Sequence, residues 1–440
     1  MMTSDPSPFA REAFVWVWLP GRTDPVVAGR LAAQAGEIGF VYGRSYLARP
    51  DAVPLYLPEL PLKAGLIRPL NGLPMASAIR DAAPDAWGRR VILNRTFGLK
   101  GPDLDGFELD ELTFLLQSGS DRIGALDFQA SATDYAPRGG AHASLDELLA
   151  SAEKVERNLP LSPELDQALH HGSSIGGARP KALISDGPAK YVAKFSSAAD
   201  TWSVVKGEYI AMRLAALAGL DVAPVRLVRA SGKDVLLVER FDREAEGAGW
   251  RRKAMVSALT LLGLDEMQAR YASYQDLAEI VRFRFTRVAE TLRELFARIC
   301  FNVLVGNLDD HARNHAAFWD GARLTLTPAY DICPQGRAGE EANQAMLIAD
   351  QNRASQIATC LAAASHFQLN AAAALDLVEA QVRVIGDNWR AICREADLGE
   401  VDRTLFWGRQ FLNPYAFYGL EGGRGEALAA LARNYRQGQT

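Results

Sequence analysis

Gly306-Asn-Leu-Asp309-Asp310-His311-Ala-Arg313-Asn314, with Pro328-Ala-Tyr-Asp331 downstream, is the stretch on which the reading of the fold turns. Asp309 and Asn314 stand in D-x-x-x-x-N spacing, and Asp331 follows a strand-like run, ARLTLTP (322–328). In a kinase catalytic loop an Asp accepts the proton of the substrate hydroxyl. An Asn five residues on and a later Asp hold the metal ions on the ATP phosphates. The chemistry requires those residue types. Phosphoryl transfer spreads negative charge over the γ-phosphate, so carboxylates must bring Mg2+ to it. A base within hydrogen-bond reach of the hydroxyl contributes about 10²–10⁴ in rate. The same spacing also fits a solvated loop with a helix-capping Asp. What favours the kinase reading is placement, after a long helical run and before the strand-like stretch. His311 and His315 lack the Glu of H-E-x-x-H and an evident third ligand, which argues against zinc. His311 reads as a group that orients Asp309 or the loop backbone at the nucleotide site, and His315 as a packing residue.

Upstream, Gly172-Ser-Ser174-Ile-Gly176-Gly177-Ala178-Arg179-Pro-Lys181 has the composition of a phosphate cradle. Glycines permit close backbone approach, and successive N–H groups bind anions. The loop is neither a Walker A loop nor G-x-G-x-x-G, and an ordinary hairpin turn has the same composition. Lys194 lies in the strand-like YVAKFSS, with Glu208 on the following helix as its partner, the kinase device for gripping phosphates. LLVERFDRE (236–244) ends a hairpin where a hinge would read the adenine edge.

Around these pieces the chain is ordinary in composition. Of 440 residues, 48% are hydrophobic and 23% charged, which excludes a disordered or fibrous chain and a disulfide scaffold. The net charge of −5 is not the footprint of a protein that coats nucleic acid. Cys300, Cys333, Cys360 and Cys393 are widely spaced with no C-x-x-C pair, as expected of reduced thiols in the cytoplasm. The N-terminal residues lack a basic signal-peptide region. The apolar run Leu295 to Leu308, broken by Arg298 and Asn302, is shorter than the roughly 20 residues of a membrane span.

The patterning predicts strands at 14–19, 39–48, 54–62 and 122–131, and helices over 76–98 (interrupted at Pro84) and 108–119. The turn-rich 133–143 is the boundary candidate. A helix over 144–157 follows, with Ser144 and Glu147 as a capping box. Next come a strand at 189–197, a helix over 203–220, a hairpin around Ser231-Gly232-Lys233, and mainly helix from 255. A sheet-rich lobe with one helix, then a helical lobe, is the plan of a kinase.

These pieces occur together, in this order, in one family. SSIGGARPKA (173–182), YVAKF (191–195), LLVERFDR (236–243), NLDDHARNHA (307–316) and LTPAYDI (326–332) resemble the HipA family of bacterial Ser/Thr kinase toxins. DAAPDAWGRRVI (81–92) and GALDF (124–128) are similar to its N-terminal signature. The resemblance implies an α+β fold. Its core is two-lobed and lipid-kinase-like, with a sheet-rich N-lobe (141–245) and a helical C-lobe (246–440), behind an N-terminal α/β subdomain (1–140). It implies ATP and Mg2+ as cofactors and Asp309 as catalytic base, with Asn314 and Asp331 as metal ligands. Lys194 would grip the ATP phosphates, and Gly176, Gly177, Ala178, Arg179 and Lys181 would form the phosphate loop. Glu239, Arg240 and Phe241 fall at the adenine-facing hinge. Ser174, or its neighbour Ser173, would be autophosphorylated as an off-switch. The implied partners are a HipB-like helix-turn-helix antitoxin, operator DNA mainly through that antitoxin, and an aminoacyl-tRNA synthetase as substrate. The alternatives are a catalytically weak co-repressor and a small-molecule kinase. The loop reads G-G-A-R-P-K where the best-known member has A-G-A-Q-E-K, so the contacts of Arg179 are left open.

Overall fold

The aromatic and β-branched run at 14–19 becomes β1 (Glu12–Val17), an inner strand of the first sheet in a computed structural model. The structure describes residues 10–34, 36–97, 109–139, 144–156, 179–197, 200–337 and 339–439. β2 (Val26–Gln34), β3 (Glu37–Tyr42), β4 (Leu66–Ile67) and β5 (Leu126–Gln129) complete an antiparallel sheet of order β4-β3-β2-β1-β5. Val15, Val17, Leu31, Phe40 and Phe128 fill its core.

Two sequence expectations fail here. The chain leaves β3 at Gly43 and makes a helical turn at Arg44–Leu47 rather than running as strand to 48. Residues 54–62 form no strand. Pro54, Pro58 and Pro61 remove backbone donors, and Tyr56 and Leu60 close a turn instead.

Pro84 separates a short turn at Ser77–Arg80 from α1 (Ala86–Phe97), and α2 (Glu111–Gln117) follows, capped by Asp110, which accepts from Thr113 N at 3.0 Å. α3 (Leu145–Glu156) starts on the expected capping box. Ser144 N donates to Glu147 Oε2 at 2.8 Å, and Glu147 N to Ser144 Oγ at 3.2 Å.

The second sheet contains β6 (Lys181–Asp186), β7 (Ala189–Phe195), β8 (Val225–Ala230) and β9 (Lys233–Glu239), in antiparallel order β6-β7-β9-β8. Strand alternation sends Val235 and Leu237 to one face and Leu236 and Val238 to the other. The first face packs on α3 and on Trp87 and Val91 of α1. The second packs on α4 (Val204–Leu217) and the helical core. α1 therefore ties the N-terminal region to the second sheet, and Trp87 Nε1 donates to the Lys181 carbonyl at 3.2 Å.

A hairpin of β10 (Arg243–Glu246) and β11 (Gly249–Arg252) precedes a small sheet of β12 (Ala254–Ser257), β13 (Ala316–Trp319) and β14 (Leu324–Leu326). The helical lobe is built from α5 (Tyr274–Arg284), α6 (Val288–Val305), α7 (Ile357–Ala363), α8 (Ala371–Glu395), α9 (Glu400–Phe406) and α10 (Gly423–Gln439). α6 is buried along most of its length. It stops at Gly306, which has φ +70° and a backbone so close to Gln410 that a Cβ would lie 2.9 Å from that residue's carbonyl oxygen. Only glycine fits that junction.

A buried charge cluster joins the loop at 121–124 to the end of β9. Arg240 binds Asp121 and Asp242, Arg243 binds the same two carboxylates, and Gly124 N donates to Asp242 Oδ2 at 2.8 Å. Substituting Asp242→Ala leaves two buried guanidinium groups short of a partner. A loss of about 3–5 kcal/mol is expected, read as a lower urea midpoint.

Candidate functional site

The second sheet places two lysines side by side. Lys181 and Lys194 are direct cross-strand partners on β6 and β7, so both side chains leave the same face. Lys194 Nζ lies 2.5 Å from Glu208 Oε1 on α4 and also binds Asp331 Oδ1. One ammonium thus joins the sheet, the helix packed on it and the loop from the helical lobe.

The electrostatics follow from that sharing. Burial pushes Asp331 up, but the Lys194 ammonium outweighs it and holds the carboxyl near about 2, with Lys181 and His311 adding to the effect. For Lys194, burial opposes the charge, but Asp331 and Glu208 raise its pKa above the ordinary value. Glu208 is raised, first by burial and then by the Asp331 charge, with Lys194 pulling the other way. Asp331 also sits at φ +60°, a left-handed conformation costly for a residue with a side chain and concentrated at functional sites.

The loop at 307–315 faces this cluster. The Asp309 carbonyl accepts from His311 N at 2.8 Å and Asn314 Nδ2 at 3.1 Å. Residue 309 is exposed while Asn314 is buried. Partial burial, then Asp331 and Asp310, raise the Asp309 carboxyl, and His311 lowers it. An aspartate raised toward neutrality is a better proton acceptor than an ordinary one. Asp331 and Asn314 offer oxygen donors, the ligand class a hard divalent cation selects.

The other expected residues are placed as follows. Ser174, Gly176, Gly177 and Ala178 lie outside the described residues. Arg179 pairs with Asp200 at 2.9 Å. Lys181 is buried, and burial lowers its pKa against the opposing charge of Asp85. Glu239 ends β9, its N–H donating to the Pro224 carbonyl at 2.9 Å. Phe241 packs against Tyr330 and Phe318, with ring centroids 5.7 and 5.9 Å away. Arg240 turns its guanidinium to Asp121, Asp242 and the Arg122 carbonyl. His315, expected only to pack, has Nε2 3.0 Å from Asp310 Oδ2.

Sequence reading passed over Asp310, Asn302, Tyr274 and Asp85. Asp310 is buried and takes hydrogen bonds from Tyr274 and Asn302. The one visible signal was Asn302, a polar residue inside an apolar run. Asp85 caps α1, accepting from Gly88 N at 3.2 Å, and its other oxygen is buried without a hydrogen-bond partner.

A four-stranded lobe carrying a Lys–Glu pair, set on a helical lobe that presents D-x-x-x-x-N and a second Asp, defines a two-lobed, kinase-like α+β protein. Family comparison is specific. Residues 17–129 match the HipA N-terminal domain and residues 173–389 the HipA-like C-terminal domain. The chain belongs to the HipA family. It is 27% identical over 336 residues to a provisionally named kinase, Y4mE, of Sinorhizobium fredii, spanning 72% of this chain and 76% of that one. It is 30% identical over 145 residues to the serine/threonine-protein kinase toxin HipA of Shewanella oneidensis, covering 29% of this chain and 34% of the toxin. The HipA chain from the Shewanella oneidensis HipA, HipB and operator DNA complex superposes with a TM-score of 0.66 at 18% identity, over 96% of this chain and 97% of that one, a shared fold.

Burial pushes the Asp85 carboxyl up to about 6, with Lys181 opposing. An unfolded aspartate titrates near 3.9, so the folded state keeps the proton longer. Stability therefore falls as pH rises from about 4 to about 6, and is level above. Asp85→Asn keeps an acceptor for Gly88 N and removes the charge. Thermal unfolding across that range is expected to show a variant equal to wild type near pH 4 and about 2 °C or more higher at pH 7.

Proposed function

We propose that the chain is an ATP-dependent serine/threonine protein kinase and the toxin of a type II toxin–antitoxin pair. The observation that carries this reading is the shared ammonium of Lys194, held by Glu208 and Asp331 opposite the Asp309–Asn314 loop.

In this reading Lys194 and Lys181 bind the negative charge of the ATP phosphates, and Glu208 keeps Lys194 aimed. Glu239 and Phe241 border the adenine. Asp309 takes the proton from the substrate hydroxyl at its carboxylate as the oxygen attacks the γ-phosphorus, and the bond from that phosphorus to the β–γ bridging oxygen breaks to release ADP. Asn314 and Asp331 would hold Mg2+. The fit is supported by the Lys194 ammonium, which already places a positive charge on the Asp331 carboxylate. When bound, the ion neutralises charge developing on the phosphate oxygens. Among the described residues no group of three or more His, Cys, Asp or Glu stands ready as a metal cage, and Mg2+ needs none, since phosphates and water complete its shell.

The substrate class is a protein serine, with an aminoacyl-tRNA synthetase as the proposed target and Ser174 or Ser173 as the self-modified residue. A HipB-like antitoxin is the proposed partner, in the cytoplasm. The Shewanella HipA relative sits in a complex with HipB and operator DNA, which supports that partner, and the net charge of −5 supports DNA contact mainly through the antitoxin. Among the described residues no helix is long and apolar enough to cross a membrane.

Incubation with Mg2+-ATP followed by intact mass and peptide mapping tests the reading. Wild type is expected to gain phosphate at Ser174 or Ser173. Asp309→Asn is expected to lose at least about 10²-fold in transfer with its melting temperature unchanged. A folded Asp309→Asn protein that transfers phosphate as fast as wild type would overturn it.

A further inference from the structure

Asp309 and Asp310 are neighbours in sequence with opposite fates. Residue 309 is exposed, whereas Asp310 is 3% exposed. A buried carboxylate is costly unless donors compensate it, and this one is compensated from three elements. Its Oδ2 accepts from Asn302 Nδ2 of α6 at 2.7 Å and from the Tyr274 hydroxyl of α5. It also lies 3.0 Å from His315 Nε2, at the entry to β13. The Tyr274 hydroxyl reaches the Asp310 carbonyl as well, at 3.3 Å, and the Tyr274 ring meets His315 edge-on.

The network continues toward the second acidic loop. Asn302 Oδ1 accepts from Asn307 Nδ2 at 3.1 Å, and the same Nδ2 lies 3.5 Å from the Asp331 carbonyl. An unbroken series of polar contacts therefore runs from α5, through Asp310 and α6, to the backbone of Asp331. Neither Lys194 nor Glu208 belongs to it.

We infer that Asp310 is a positioning residue, whose buried carboxylate fixes the loop that carries Asp309 and registers it against the loop that carries Asp331. It touches neither nucleotide nor hydroxyl; it acts through its neighbours. A misplacement of about 1 Å at a reacting group costs up to about 10²-fold in rate, so this role belongs to the transfer step rather than to nucleotide binding.

The inference rests on the kinase reading, and three variants test both. Asp310→Asn keeps an oxygen for Tyr274 and Asn302 but removes the charge. Its kcat for phosphate transfer, per folded molecule, is expected to fall about 10- to 100-fold, while the Kd for a fluorescent ATP analogue stays within about twofold of wild type. Tyr274→Phe removes one donor and is expected to lower kcat by a smaller factor in the same direction. The double variant is expected to fall short of the product of the two effects, because both act through one network. A purely structural role would lower the melting temperature and leave kcat per folded molecule unchanged, which would overturn the inference. Should Asp310→Asn fail to fold, Tyr274→Phe alone decides: an unchanged kcat overturns the inference and a reduced kcat with unchanged analogue affinity supports it. A wild type that transfers phosphate neither to itself nor to any protein defeats the kinase reading, and the inference falls with it. An active wild type matched by active Asp310→Asn defeats the inference alone.

Discussion

The structure depends on one shared ammonium. Lys194 comes from the second sheet, Glu208 from the helix packed on it, and Asp331 from a loop of the helical lobe. Glu208 is buried, and a buried carboxylate left without its cation is costly, so that pair is not separated cheaply. Two carboxylates share that cation, and the charge of Asp331 is still felt by its neighbours. Its consequence is visible at Asp309, where the charge of Asp331 helps to raise the carboxyl. The contacts that join the lobes thus also bear on the Asp309 carboxyl.

A second set of charges fixes the N-terminal region to the end of β9. Arg240 and Arg243 each bind Asp121 and Asp242, and Arg240 Nη2 donates to the Arg122 carbonyl at 2.6 Å. Trp87 adds a bond from α1 to β6, and Asp81 accepts from Ser257 N and Oγ at 2.7 Å and from Thr260 Oγ1 at 2.8 Å. The N-terminal region is thereby held at three places around the cleft: the first strand of the second sheet, the end of β9, and the turn after β12. A load on the N-terminal sheet has direct physical routes to both lobes.

Where the sequence was legible, the signal was local. The capping box at Ser144 and Glu147, the break at Pro84, the hairpin turn at Ser231-Gly232 and the long helices all follow from short-range patterns, and all are present. The Lys194–Glu208 pairing was legible only as a family device, because strand and helix residues 14 positions apart have no local reason to meet. Residues 54–62 misled because alternating apolar residues suggest a strand even where three prolines forbid its ladder. β2 and the β10–β11 hairpin went unread, since neither carries a strong run of β-branched residues. Arg240 was assigned to the adenine edge from its position in the motif. Its guanidinium binds Asp242, two residues on, and also Asp121, 119 residues away, a contact no local pattern reveals.

The basic triplet Arg251-Arg252-Lys253 shows why a run of charge says little until its partners are known. Arg251 pairs with Glu246, Lys253 with Glu244 at 2.6 Å, and Arg252 lays its guanidinium 3.4 Å from the centroid of the Trp18 ring while donating to the Ser120 carbonyl at 2.9 Å. Two of the cations are paired with neighbouring acids and the third lies on an aromatic face. Phosphate contacts draw their strength from releasing counterions, and a lysine or arginine already paired within the protein must first give up that partner. Of the three, Arg252 fastens the β10–β11 hairpin to the N-terminal region, while Arg251 and Lys253 pair with acids of the hairpin itself.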